Sequence, residues 1–287
     1  MPFDSPDQIY EQSRRVECDD VTLAVTDHGP KSGVPVLMLH GWPDSARLWR
    51  HQVPALAEQG YRVLAPDLRG FGRSDKPTDV EAYRIAHSVS DMLAILDEAG
   101  AAACHVVGHD FGALVAWSFA IHHPERVTSL TALSVGHPSA FASAGLGQLR
   151  RSWYTLLFQF EGVAEQFLSS NDWAMFRRLT GDHPETPHWI ADLSRPGALT
   201  ASLNWYRANS HPRNLVGVRA AYPVCSVPTQ GVWSAGDVAL TEHQMTGSED
   251  HVTSEWSYRR LENASHWIPL DASEELSSLL IDWFRRF

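Results

Sequence analysis

Cysteine is scarce: the 287-residue chain has 3. Cys18, Cys104 and Cys225 are far apart and odd in number, and no Cys-x-x-Cys or His–Cys spacing suggests zinc. Reduced thiols in a cytosolic protein are expected, and no metal. Long apolar runs are missing as well. None approaches ~18 residues, which argues against a transmembrane helix. The opening stretch MPFDSPDQIYEQSRR has no apolar core, so no secretory signal is expected and the location is read as cytoplasmic. Positive charge is in deficit, with 23 Lys and Arg against 34 Asp and Glu and a formal net charge of −11. Such a chain lacks the basic surface that releases counterions from nucleic-acid phosphates. It also lacks the polybasic cluster that an anionic membrane attracts. Neither partner is expected. No repeats or low-complexity segments occur.

What is present is globular: 44% hydrophobic and 20% charged residues. The length is large for one compact domain and small for two, which suggests one domain with an insertion. Aromatic residues are plentiful, with 11 Trp, 11 Phe and 7 Tyr beside 15 His. They fit a small-molecule pocket and serve equally as core filling.

Strand and helix patterns alternate through the first half. Val16–Cys18 and Val21–Thr26 read as a hairpin around Asp19-Asp20. Val34–His40 and Tyr61–Ala65 are apolar runs expected of strands buried on both faces. His105–Val107 and Val127–Val135 add two more strands. Helical spacing runs over 46–59, 82–99 and 111–123, with Gly60 and Gly100 closing the first two. This rhythm predicts an α/β fold with a parallel sheet covered on both faces. It breaks after Pro138. Residues 138–218 read as short helices without a strand run, and alternation resumes with Thr229–Trp233, Trp256–Leu261 and a final helix near 272–286. The predicted organisation is a core over 1–137 and 219–287, interrupted by a helical lid over 138–218.

The chemistry gathers at strand ends. In Gly108-His109-Asp110-Phe111-Gly112, a buried strand ends, one residue occupies the turn and a helix begins. That is the layout of a nucleophile elbow, with Asp where serine hydrolases carry Ser; no G-x-S-x-G occurs in the chain. Taken alone, Asp110 could equally be a helix cap. His40-Gly41-Trp42-Pro43 ends another strand, and the N–H groups of Trp42 and Phe111 could face a developing oxyanion. Asp237 and His266 follow the two late strands. Parallel sheets collect functional groups at these carboxyl ends. The order nucleophile, acid, histidine is that of the α/β hydrolases.

With Asp as nucleophile, the chain resembles the epoxide hydrolase and haloalkane dehalogenase branch of the α/β-hydrolase superfamily, from about residue 15 to the end. The loop Gly70-Phe71-Gly72-Arg73-Ser74-Asp75 is also typical of that branch. Soluble epoxide hydrolases use two lid tyrosines to hold the epoxide oxygen. Asn204-Trp205-Tyr206-Arg207 resembles the segment carrying the second. Trp153-Tyr154 with Phe158-Gln159 and Gly162-Val163-Ala164-Glu165 resembles the first, with Phe160-Glu161 replacing the usual acid–proline pair. The resemblance therefore implies Asp110, Asp237, His266, Tyr154 and Tyr206 as catalytic residues. Trp153, Phe158 and Trp267, next to them, are read as pocket residues. Haloalkane dehalogenases often carry Trp after the nucleophile, whereas Phe111 stands here. The implied activity is hydrolysis of a small apolar epoxide with water as co-substrate and no cofactor. A dehalogenase and a non-catalytic ligand-binding protein are the alternatives. The assembly state is open, with a homodimer as one option. His183 and His188 lack metal spacing and are expected on the lid surface.

Overall fold

The computed structural model describes residues 6–212 and 222–287. One eight-stranded sheet runs through it. Its strands are β1 (Arg14–Glu17), β2 (Thr22–His28), β3 (Pro35–Leu39), β4 (Arg62–Pro66), β5 (Cys104–His109), β6 (Val127–Leu133), β7 (Thr229–Gly236) and β8 (Trp256–Ser265). Their spatial order is β1-β2-β4-β3-β5-β6-β7-β8. The first two strands form the expected hairpin, Val16 opposite Leu23, and β2 is antiparallel to β4. All later pairings are parallel. β3 and β5 are buried almost throughout because helices cover both faces, which is why they read as unbroken apolar runs.

The helix Phe111–His122 follows β5 and crosses the middle of the molecule. Phe111, Ala113, Val115, Ala116, Trp117, Phe119 and Ala120 are all buried, so it has no polar face. Its start lies hard against the sheet. A Cβ on Gly112 would stand 2.1 Å from the Leu39 carbonyl oxygen and 2.6 Å from that of His40. Only glycine allows that approach.

Three expected elements differ in extent. The stretch 46–59 is two pieces, a 3₁₀ turn Ala46–Trp49 and a helix Gln52–Glu58. Pro54 has no N–H for the carbonyl four residues back, so it sits in the first turn of a new helix rather than inside a continuous one. The 82–99 helix begins at Ile85, after a separate turn Val80–Tyr83 capped by Asp79. β8 extends beyond Leu261 to Ser265, and the final helix is Ser273–Phe284 after a short turn Ile268–Asp271.

The insertion between β6 and β7 is helical: Pro138–Ala142, Gly145–Arg151, Tyr154–Leu157, Val163–Leu179, Thr186–Leu193 and Ala198–Asn209. Positions 213–218 of the expected lid lie outside the described residues. Buried polar contacts tie the lid to the core. The Trp189 indole N–H donates to Asp44 Oδ2 at 2.8 Å, and the Trp205 indole N–H donates to the Arg69 carbonyl at 2.9 Å. Glu185 pairs with Arg47 and, at 2.7 Å, with Arg50. No described helix is long and apolar enough to cross a membrane.

The contact at Gly112 is open to test. Gly112→Ala drives a methyl into strand backbone that cannot retreat, and a loss of about 2–3 kcal/mol is expected in urea unfolding. An alanine variant as stable as the parent would show that the helix can move off the sheet.

Candidate active site

Asp110 sits in the turn between β5 and the helix Phe111–His122 with φ 53° and ψ −120°. Non-glycine residues avoid positive φ, so packing on both sides must hold this strained turn. The strain lifts the side chain off the sheet edge toward the loop after β3. Gly41 is what lets it fit there: a Cβ on Gly41 would lie 2.4 Å from both Asp110 Cβ and Oδ1. The Trp42 N–H donates to Asp110 Oδ1 at 2.9 Å, and the Phe111 N–H also bonds the carboxylate. The two N–H groups expected to face an oxyanion thus already grip the carboxylate of Asp110. The Trp42–Pro43 peptide is cis.

Asp237 and His266 come from the ends of β7 and β8. Asp237 Oδ1 accepts the N–H groups of Ala239 and Leu240, both at 2.8 Å, which leaves Oδ2 free for His266 Nδ1 at 2.9 Å. The other imidazole nitrogen, Nε2, stands 3.7 Å from Asp110 Oδ2. His109 Nε2–H donates to the His266 carbonyl at 2.9 Å, and the two rings lie 4.7 Å apart. Burial lowers the His109 pKa to about 3, so this neighbour stays neutral.

Electrostatics converge on His266. Burial pushes its pKa down, but the charge and hydrogen bond of Asp237, with the charge of Asp110, outweigh that and hold it at about 9. Burial would raise Asp237, yet His266 and the loop N–H groups bring it below the usual carboxylate range. Asp110 is raised by burial, with His266 and the two backbone N–H groups offsetting part of the rise.

Tyr206 lies on the lid helix Ala198–Asn209, and Tyr154 opens the short helix Tyr154–Leu157. Their rings are 6.0 Å apart and their hydroxyls interact. Both phenols titrate well above their ordinary range. Burial is the main cause for each, with a contribution from the charge of Asp110. Both therefore keep their protons at neutral pH. A cavity of about 40 Å³ is lined by Trp42, Asp110, Tyr154, Leu179, Tyr206, Val238, Ala239, His266 and Trp267. That is room for a water or two as the lid sits. One wall of this space is acidic and the facing wall phenolic.

Two expectations need correction. Trp153 is 51% exposed and does not line the cavity; one residue before Tyr154 on a helical turn, it points to the other side. His183 is not a surface residue. It stacks on Trp189 at 5.2 Å and bonds Asp271 at 3.0 Å, and its side chain is 10% exposed. It belongs to the lid–core seam. Phe158 is fully buried and stands behind the cavity wall, its ring 4.9 Å from Tyr206 and 5.4 Å from Tyr154. Trp267 both lines the cavity and packs against Trp189. Leu179, Val238 and Ala239 had no signal in the sequence beyond adjacency of the last two to Asp237. Among the described residues, no group of three or more His, Cys, Asp or Glu could hold a metal ion.

Comparison with known proteins places the fold. The family described as alpha/beta hydrolase fold matches residues 34–273. Epoxide hydrolase 3 of Xenopus tropicalis is 32% identical over 277 residues, covering 90% of this chain and 73% of that protein. Epoxide hydrolase A of Mycobacterium tuberculosis is 29% identical over 94% of this chain and 96% of its own length. The crystal structure of the Bacillus megaterium epoxide hydrolase in complex with an inhibitor superposes with a TM-score of 0.85 at 26% identity, over 95% of this chain and 100% of that one. The chain belongs to the α/β-hydrolase fold family, in the branch that holds the epoxide hydrolases.

Proposed function

We propose that the protein hydrolyses a small apolar epoxide to a vicinal diol through a covalent ester on Asp110. The observation that carries this reading is the pairing of two protonated phenols with a buried carboxylate across one cavity. An epoxide needs both: a nucleophile for the strained carbon, and a proton for the departing oxygen.

In the first step an Asp110 oxygen attacks a ring carbon and the carbon–oxygen bond of the ring breaks. The oxygen leaves as an alkoxide held by Tyr154 and Tyr206, and takes a proton from one of them. In the second step water attacks Asp110 Cγ and gives its proton to His266, while Asp237 holds the imidazole and stabilises the imidazolium. The oxyanion forms where the Trp42 and Phe111 N–H groups already point, so little rearrangement is needed. Collapse expels the diol oxygen, which takes the proton of the new carboxyl group; the carboxylate is restored, and His266 keeps the proton from water as its resting imidazolium.

Alkylation also switches His266. At neutral pH, with a pKa of about 9, it rests as an imidazolium between two carboxylates. Forming the ester removes the charge of Asp110, one of the causes of the rise, so the pKa falls, the imidazolium gives its proton to the tyrosinate left by ring opening, and the neutral ring can serve as a base. The catalytic set also argues against a mere ligand binder, which has no need of a base opposite a carboxylate. Against a dehalogenase, Phe111 has no side-chain donor, and the Trp42 indole N–H is given to Ser202 Oγ at 3.3 Å rather than offered to a halide. A parallel assay for halide release and diol formation separates these two.

Three outcomes are expected. Tyr206→Phe slows epoxide opening roughly 10²–10⁴-fold in single-turnover kinetics; a severalfold effect would mean that Tyr154 alone suffices. His266→Gln still forms the ester but does not release it, so the intact-protein mass rises by one substrate; unchanged turnover without an adduct would sink the two-step scheme. The sign of the pH effect follows from His266. Ester hydrolysis needs the neutral ring, so it speeds up as pH rises and the ester accumulates as pH falls. In the free enzyme the His266 titration seen by NMR has its midpoint near 9, and Asp237→Asn lowers it. An unchanged midpoint would mean that Asp237 does not hold the proton on the ring.

A further inference from the structure

Asp237 depends on a loop, and the loop depends on the lid. Asp237 Oδ1 is fastened to the N–H groups of Ala239 and Leu240. Residues 238–241 have no sheet partner to hold them in turn. Side chains support them instead: the Trp233 indole N–H donates to the Leu240 carbonyl at 3.3 Å and Gln244 Nε2 to that of Thr241 at 3.0 Å, but most bonds come from the lid. Gln148, on the helix Gly145–Arg151, is 3% exposed. Its Nε2 donates to the Ala239 carbonyl at 2.9 Å and to Ser152 Oγ at 2.8 Å. Its Oε1 accepts from Thr241 N at 2.9 Å and from Thr241 Oγ1 at 3.0 Å. Every donor and acceptor position of the amide is used, three of the four on the acid loop. Arg151, one turn on, donates to the Asp237 carbonyl and, at 2.9 Å, to that of Leu240.

The same helix leads directly into the segment that opens with Tyr154. A continuous path therefore runs from Gln148 through Ala239 and Thr241 to Asp237 Oδ1, and from Oδ2 to His266 Nδ1. We propose that Gln148 is a positioning residue, which ties the loop carrying Asp237 to the lid helix Gly145–Arg151 and so aims the acid at His266. The role in catalysis rests on the two-step reading above; the role in holding Asp237 does not. A buried amide that loses its partners leaves the Ala239 carbonyl and Thr241 N–H to find others, which moves the loop.

Gln148→Met keeps the side-chain length and removes all four hydrogen bonds. The titratable groups facing His266 are Asp237 from the loop after β7, Asp110 from the elbow, His109 from β5 and, across the cavity, the lid phenols Tyr154 and Tyr206, and none of them is altered. His183 and Asp271 lie one ring further away, beyond Trp267, and are likewise untouched. The NMR titration of His266 in the free enzyme is therefore expected to move to a lower midpoint. With an epoxide, the formation of the ester is expected to stay within about threefold of the parent while its hydrolysis slows at least tenfold, so the ester accumulates. Thr241→Val deletes one of the four bonds without touching the lid and should shift the midpoint the same way by less; it decides the matter if Gln148→Met does not fold. A midpoint unchanged in the folded variants, or ester formation and hydrolysis slowed equally, would overturn the proposal and leave Gln148 a structural residue. A parent enzyme that forms neither adduct nor diol would overturn the two-step reading instead, and the midpoint would still decide whether Gln148 aims Asp237.

Discussion

One buried imidazole shared by two carboxylates is the constraint on which the rest depends. His266 reaches Asp237 through Nδ1 at 2.9 Å and faces Asp110 through Nε2 at 3.7 Å. Burying one cation between two anions is costly unless each charge is compensated. Each is: backbone N–H groups from Trp42 and Phe111 hold Asp110, and those of Ala239 and Leu240 hold Asp237. The 3.7 Å gap has its own consequence. It keeps His266 and Asp110 coupled by charge without a direct hydrogen bond, so changing the charge of one resets the other.

The sheet makes this arrangement possible. Parallel strands end side by side, so β3, β5, β7 and β8 deliver Trp42, Asp110, Asp237 and His266 to one edge. The lid then supplies what the edge lacks. It brings two phenols over the carboxylate and narrows the space between to about 40 Å³. Its seam with the core is polar as well as aromatic, through Asp44 with Trp189, Glu185 with Arg47 and Arg50, and His183 with Asp271. Such contacts specify one seating of the lid rather than a loose apolar cover.

Much of the core was legible in the sequence because its signals are local. Gly112 marks the close approach of a helix to a sheet, and unbroken runs such as Val34–His40 mark strands covered on both faces. Asp237 and His266 stand out in the sequence by their place after strands and by their order along the chain, and the structure brings both beside Asp110. Tyr206 stands out by the residues around it, and it lines the cavity opposite Asp110. What escaped depends on contacts distant in sequence. Gln148 is an ordinary polar residue in a short helix, and only the fold shows it 93 positions away at Thr241. His183 read as surface because its partners, Trp189 and Asp271, lie on different elements. Trp153 was read as a pocket residue through its neighbour Tyr154, but adjacent residues on a helical turn face different ways. The split at Pro54 was visible in principle, since proline cannot donate inside a helix.

The central claim is that Asp110 is alkylated and then freed by attack of water on its own carbonyl. A single turnover in ¹⁸O water, with enzyme in excess over epoxide, tests it directly. After digestion, mass spectrometry of the peptide bearing Asp110 should find one ¹⁸O atom in the carboxylate, and the diol of that first turnover should be unlabelled. Label in the diol with none in Asp110 would mean that water attacks the epoxide itself, and would contradict the covalent scheme.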